Sequence, residues 1–120
     1  MSIEFIKGAD ISFVDEIESE GGAFYEHGRK RDVLDILKDS GVNSARLRLW
    51  NNPEFDYCNP RKTIKMAKRI KEKGLHFLLD FHYSDYWADP SKQHMPKSWV
   101  GLSFPELVKQ VEEFTAFFFK

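Results

Sequence analysis

A six-residue pattern occurs twice in this chain and constrains its fold more than any other feature. Leu37–Val42 and Ile70–Leu75 each contain an apolar residue, lysine, an acid, a polar residue, glycine and an apolar residue, in that order. The two glycines, Gly41 and Gly74, are 33 residues apart. Glycine adopts the left-handed conformation that ends many helices without a steric penalty from a Cβ atom. A helix is therefore predicted before each glycine and a strand after it.

The segments beside these glycines agree with that prediction. Apolar residues recur at helical spacing before each glycine. Asn59 can cap the second helix, and Pro60 suits its first position, because the missing N–H costs nothing there. Strands are predicted after the glycines, at 44–50 and 76–82, and also at 5–12, where the chain opens.

A third helix is predicted near the carboxyl end of the chain. Ser103 and Glu106 form a capping-box pattern around Pro105, and apolar residues follow at helical spacing as far as Phe118. A strand and a helix therefore alternate three times. Such alternation favours a parallel sheet with helical crossovers, the α/β class.

The repeat length separates two versions of this architecture. A (β/α)₈ barrel of about 250 residues averages about 31 residues per unit. A doubly wound sheet has similar spacing but is expected to carry a Gly-rich phosphate loop after its first strand, and Gly8–Ser12 is no such loop. The predicted fold is a partial (β/α)₈ barrel with about the first three strand–helix units and parallel strands. A small doubly wound ligand-binding domain is the alternative.

Charge and cysteine content disfavour several classes of function. Eighteen Lys and Arg nearly cancel nineteen Asp and Glu, so nucleic acid is not an expected partner. The basic cluster within 62–73 has helical spacing and is interpreted as a solvated outer face. Cys58 is the single cysteine, and no zinc-ligand spacing accompanies it, so neither metal nor cofactor is expected. No signal peptide is recognised at the amino end, and charges interrupt every apolar run, so no membrane span is expected.

Each predicted strand ends in polar residues two positions apart, which places them on one face of the sheet. In a barrel, this end of the strands forms the active site. The side chains expected to share one mouth are Asp10 and Ser12, Arg46 and Arg48, and Asp80 and His82.

Structural roles compete with functional ones at these positions. Asp10 can brace the loop that follows it. The two arginines, Arg46 and Arg48, can pair with Asp10 or Asp80, and such pairing is compatible with ligand binding. Asp80 and His82 are too few to specify a metal site. Because neighbouring arginines should keep both aspartates ionised, neither suits the acid or the nucleophile that glycoside hydrolysis needs.

The loop 83–99 contains large rings among polar residues and prolines. The ring of such a residue covers the apolar face of a sugar while polar groups bind its hydroxyls, so the loop is typical of a carbohydrate cleft. Packing of the loop onto the barrel is the alternative for Trp99 and, less so, for Trp87. The rings in question are Tyr83, Tyr86, Trp87 and Trp99.

Three segments, Gly8–Ser12, Gly41–Pro53 and Asp80–Gln93, resemble the opening of glycoside hydrolase family 53, in the order and spacing of that family. The resemblance implies a (β/α)₈ barrel, and it identifies residues 1–120 as the N-terminal part of a single catalytic domain, truncated. It also implies endo-hydrolysis of β-1,4-galactan in the arabinogalactan side chains of pectin, and secretion of the parent protein. The positions that match the sugar-binding cleft of the family are Asp10, Arg46, Arg48, Asp80, His82 and Trp87.

The same resemblance places both catalytic glutamates of the family, and its calcium site, beyond Lys120. No catalytic residue and no metal ligand is therefore assigned within this chain, and the chain is expected to be inactive alone as a hydrolase. The alternative hypothesis is a non-catalytic carbohydrate-binding or assembly module that a partner chain completes.

Overall fold

Three parallel strands and the helices that connect them form the framework of the protein. The computed structural model describes residues 4–119. Its elements are β1 (Gly8–Asp10), α1 (Val14–Ser19), β2 (Phe24–Glu26), β3 (Arg29–Arg31), α2 (Val33–Asp39), β4 (Ser44–Leu49), α3 (Pro60–Glu72), β5 (His76–Phe81), a 3₁₀ turn (Lys97–Trp99) and α4 (Phe104–Phe117).

The main sheet has the order β1-β4-β5, and both strand pairs are parallel. Strand β4 is central, and the connections on both sides of it pass through a helix. The predicted alternation of strand and helix is confirmed. Strand β1 is shorter than the predicted segment 5–12, because only its three residues Gly8–Asp10 pair with β4.

The predicted helix signals act as expected. Gly41 and Gly74 both have positive φ, at 95° and 73°, just beyond the ends of α2 and α3. The Asn59 side chain accepts a hydrogen bond from Lys62 N at the start of α3. Ser103 and its partner three residues into α4 form a complete capping box. These local contacts satisfy backbone groups that a helix end leaves unpaired.

The apolar core lies between the sheet and helices α2 and α3. Alternate residues of β4 point to this side, and the helices cover them. Burial of this cluster is the main source of stability for the layer. The cluster consists of Ile11, Val14, Val33, Leu34, Ala45, Leu47, Met66, Ile70 and Leu75.

A short helix, α1, and a hairpin lie between β1 and α2, and no pattern in the sequence predicts them. Strands β2 and β3 pair antiparallel around His27 and Gly28, whose φ angles are both positive, at 50° and 77°. Positive φ at both central residues is the geometry of a type I′ hairpin turn. The hairpin was missed because its strands have three residues each, too short for a periodic signal.

The interpretation of the basic cluster on α3 needs correction. Arg69 donates to both Glu18 and Asp32, so it joins α3 to α1 and to the start of α2. Lys73 pairs with Asp35 at 2.8 Å. The cluster is therefore only partly a solvated face. Its members Arg69 and Lys73 pair with acidic residues of α1 and α2.

Helix α4 contacts the sheet through aromatic rings. Phe81, the last residue of β5, packs against Phe114 and Phe118 with ring centroids 6.1 and 5.8 Å apart. Tyr83 donates or accepts a hydrogen bond with Thr115 at 2.7 Å. Residues 4–119 include no helix with the length and apolar character that a membrane crossing needs.

Candidate functional site

The polar side chains predicted to share a mouth lie on the face of the sheet opposite the helices. The register pairs Asp10 with Arg46, and Arg48 with Asp80. Paired residues of neighbouring parallel strands point to the same side of a sheet. His82 follows β5 directly and has its ring on this side, in contact with Asp80. The predicted convergence of the three strand ends is thus observed.

Asp80 is the centre of a hydrogen-bonded chain. Its Oδ2 accepts from Arg46 Nη2 and lies 3.0 Å from His82 Nε2. Trp50 Nε1 lies 3.1 Å from His82 Nδ1. Since an indole N–H only donates, Nδ1 is the acceptor in this contact, and Nε2 is the ring nitrogen that donates to Asp80. The chain fixes both the tautomer and the orientation of the ring.

Asp10 has both roles that the sequence left open. Its Oδ1 accepts from Ser12 N at 2.8 Å, so it braces the loop after β1. Its Oδ2 lies 3.5 Å from Arg46 Nε. Arg46 therefore connects two carboxylates from the strands on either side of its own, and its side chain is half exposed.

Arg48 has a different environment from Arg46, although it lies on the same face. Its side chain pairs with no carboxylate among residues 4–119, and the residue is only 5% exposed. The Cζ atom lies 3.8 Å from the centre of the Trp87 ring, 4.3 Å from Phe13 and 5.3 Å from Trp50. These are cation–π distances. The structural alternative of an ion pair with Asp10 or Asp80 does not apply to Arg48, because loops after β1 and β5 cover it with aromatic rings.

The loop after β5 presents Trp87 and buries Trp99. Trp87 is 45% exposed, with one part of its ring over Arg48. Trp99 is 5% exposed and packs against Tyr83 and Phe114, so the packing alternative applies to it. Asp85 holds the loop, since its carboxylate accepts from the backbone N–H groups of residues 52 and 97.

Two clefts open beside this network. One of about 620 Å³ contains Arg46, Asp80 and His82, together with part of the loop after β5. The other, of about 660 Å³, lies on the Trp87 side and includes Phe13 and Trp50. Both combine rings with hydrogen-bonding groups, which is the character of a site for a polar ligand with apolar faces.

The electrostatics of the site keep Asp80 ionised. Partial burial raises the pKa of its carboxyl group, but the hydrogen bonds from Arg46 and His82 outweigh burial, and the pKa lies below its ordinary value. The same hydrogen bond raises the pKa of Arg46. A carboxylate held in this way is a poor proton donor.

These interactions give the network a defined pH dependence. A carboxyl group whose folded pKa is depressed contributes stability above its unfolded pKa and loses it as pH falls through the folded value. We expect the side-chain carboxyl carbon resonance of Asp80 in NMR spectra to stay constant down to the ordinary carboxyl range and to shift only below it. A midpoint at or above the ordinary carboxyl pKa would contradict the assigned hydrogen bonds.

Two residues of this site were not among those predicted, Trp50 and Phe13. Trp50 could have been found, because it continues the two-residue alternation of Arg46 and Arg48 on the same face. Phe13 carries no such signal, since it follows the end of β1 and reaches Arg48 only through the path of the loop. Within residues 4–119, no three His, Cys, Asp or Glu side chains converge as a metal-binding group would.

Comparison with known proteins assigns this arrangement to a family. The family model for glycosyl hydrolase family 53 matches residues 6–120. An endo-beta-1,4-galactanase of Bacillus subtilis is 42% identical over 96% of this chain and 29% of its own length. An arabinogalactan endo-beta-1,4-galactanase of Cellvibrio japonicus is 41% identical over 92% of this chain and 30% of its own length. The chain thus spans about three tenths of the length of these curated relatives.

The fold agrees with this assignment. The solved catalytic domain of the family from Ignisphaera aggregans superposes with a TM-score of 0.89 at 46% identity, covering 96% of this chain and 34% of that domain. The prediction of a partial (β/α)₈ barrel, with an open three-stranded parallel sheet, is confirmed. The family model, the relatives and the superposition agree: this chain belongs to glycosyl hydrolase family 53.

Proposed function

We propose that this chain supplies part of the polysaccharide-binding cleft of a β-1,4-galactan hydrolase, and that residues 1–120 form the N-terminal part of one (β/α)₈ catalytic domain. The relatives described as galactanases support the substrate class. The observation that carries the proposal is the chain of hydrogen bonds through Arg46, Asp80, His82 and Trp50 beside the exposed Trp87 ring.

The chemistry of these groups suits a sugar. Trp87 offers a ring face for the apolar side of a galactosyl unit, while Arg46 and Asp80 offer a donor and an acceptor for its hydroxyls. Because the hydrogen bonds hold these groups before a ligand arrives, less side-chain entropy is lost on binding. Asp10, Arg48 and His82 complete the proposed cleft, as ligand contacts or as supports of those contacts.

We propose further that the 120-residue chain does not hydrolyse galactan alone. Hydrolysis by the usual route takes a proton donor and a nucleophile or base, both carboxylic. Asp80 is held ionised by Arg46 and His82, and Asp10 is engaged by Ser12 and Arg46. The test is incubation of the purified chain with galactan and measurement of new reducing ends. Turnover above a buffer control would refute the claim, and loss of that turnover in an Asp80→Ala, Asp10→Ala double variant would assign it to these two carboxylates.

Binding can be tested separately by calorimetric titration with β-1,4-galactotetraose. We expect Trp87→Ala to weaken binding about tenfold, since loss of about 55 Å² of buried apolar surface, at about 25 cal/mol per Å², costs about 1.4 kcal/mol. Phe104→Ala is the matched control, because Phe104 is an exposed ring away from this face. Equal effects of the two substitutions would contradict the assignment of Trp87 to the cleft.

A second candidate function is that of a carbohydrate-binding or assembly module that a partner chain completes. The observation that favours it is the open face of the sheet opposite the helices, where Leu78 is 60% exposed. Light scattering separates the candidates. A discrete soluble oligomer favours the module, whereas a monomer or a polydisperse aggregate argues against it.

A further inference from the structure

The burial of Arg48 leaves part of its hydrogen-bonding capacity unused. Among residues 4–119, two buried side-chain polar atoms have no hydrogen-bond partner: Arg48 Nε and Asp15 Oδ2. Lys62 Nζ lies 3.4 Å from Asp15 Oδ2 as an ion-pair partner, but not in hydrogen-bond geometry. Buried polar groups in native proteins are nearly always satisfied by protein or by ordered water.

Both atoms belong to residues that line one small cavity. Its volume is about 20 Å³, and its polar lining comes from Ser12, Asp15, Arg48, Lys62 and Thr63, with the thiol of Cys58 beside Arg48. A buried water molecule needs about 10 to 15 Å³ and two to four polar partners. The cavity therefore has room for one water molecule and too little for a sugar or a buffer molecule.

The charges around the cavity also select its occupant. A cation would face the guanidinium of Arg48 and the ammonium of Lys62, and an anion would face the carboxylate of Asp15. A neutral molecule that both accepts and donates hydrogen bonds meets neither repulsion. Water accepts from an N–H group and donates to a carboxylate oxygen, which are the two groups left without a partner.

We propose that one buried water molecule accepts a hydrogen bond from Arg48 Nε and donates one to Asp15 Oδ2. Asp15 is then a positioning residue, because the water fixes the guanidinium that lies 3.8 Å from the centre of the Trp87 ring. The connection runs from α1 through the water to the aromatic loop after β5. Its consequence for sugar binding rests on the proposed function, whereas the water site itself does not.

The direct test is NMR spectroscopy of the folded chain. We expect a cross-peak between the assigned Arg48 Nε–H proton and a long-lived water, together with an upfield ring-current shift of that proton from Trp87. An assigned Nε–H that shows no contact with long-lived water would overturn the proposal, and this outcome needs no variant.

Three variants separate positioning from simple charge pairing. Asp15→Asn keeps an oxygen acceptor but loses the charge that pairs with Lys62, so we expect the water cross-peak and the ring-current shift to persist. Asp15→Leu removes the acceptor, so both signals should be lost. Asp56→Asn is the control, since the exposed Asp56 also lies within 3.8 Å of Lys62. Loss of both signals in Asp15→Asn would show that charge, not water, holds Arg48, and would refute the proposal.

The effect on ligand binding is measured in the same variants. We expect Asp15→Leu to weaken galactotetraose binding several-fold and Asp15→Asn to leave it near the wild-type value. If the wild-type chain shows the water cross-peak but binds no galactotetraose, the proposed function fails while the water site stands. If it binds the sugar and shows no such water, the water site alone is refuted.

Discussion

Replacing Asp80 with alanine should lower the affinity for β-1,4-galactotetraose by about 10- to 100-fold. Asp80 Oδ2 is the shared acceptor for Arg46 and His82, so its loss frees both side chains. A hydrogen bond to a charged group contributes about 1.5 to 3 kcal/mol, and about 1.4 kcal/mol corresponds to a tenfold change in affinity. His82 would also lose the partner that sets its tautomer, so its hydrogen bond with Trp50 should loosen.

Calorimetric titration measures this effect, and NMR of the Trp50 indole N–H reports on the network without a ligand. Asp39→Ala is a matched control, because Asp39 also accepts from an arginine, Arg31, but lies at the end of α2. The control should bind the sugar like the wild type. An Asp80→Ala chain with unchanged affinity would remove Asp80 from the proposed cleft.

The largest effect on stability is expected for Leu34→Ala. Leu34 has no exposed surface and lies in the core between α2 and the sheet. Deletion of a fully buried leucine side chain costs about 2 to 5 kcal/mol, because transfer free energy is lost and a cavity remains. Since the free energy of unfolding of a native protein is about 5 to 15 kcal/mol, this change should remove a large part of the stability.

Leu78→Ala is the matched control for this prediction. It makes the same chemical change on the opposite face of the sheet, where Leu78 is 60% exposed, and exposed positions usually change stability by less than about 0.5 kcal/mol. Urea denaturation of both variants measures the difference. Equal destabilisation would mean that the face of the sheet opposite the helices is covered in solution by another copy or by a partner chain.

The local signals in the sequence were reliable where a single residue determines the backbone conformation at a helix end. Gly41 and Gly74 end their helices with positive φ, and Asn59 and Ser103 cap theirs. These contacts form within a few residues of the chain, so sequence alone is sufficient to predict them. The hairpin formed by β2 and β3 was missed because strands of three residues are too short to show a periodic pattern. They are stabilised by pairing with each other, and the sequence of one strand does not indicate its partner.

The alternation of side chains also predicted which residues share a face. Asp10, Arg46, Asp80 and His82 meet on one face of three neighbouring strands, as the two-residue period requires. Their membership of one site followed from strand geometry. Their particular contacts did not, since alternation gives the direction of a side chain but not its partner.

The two arginines of β4 differ in environment, and the sequence does not predict this difference. They are the same residue type, two positions apart and on one face, so the sequence treated them alike. Arg46 is open to solvent between two carboxylates, whereas Arg48 is enclosed by rings that arrive from the loops after β1 and β5. The sequence determined the order of the elements and the face on which each polar residue lies, because both are set by local backbone geometry. Only the packing of distant loops decided which of those residues are buried, paired or exposed to a ligand.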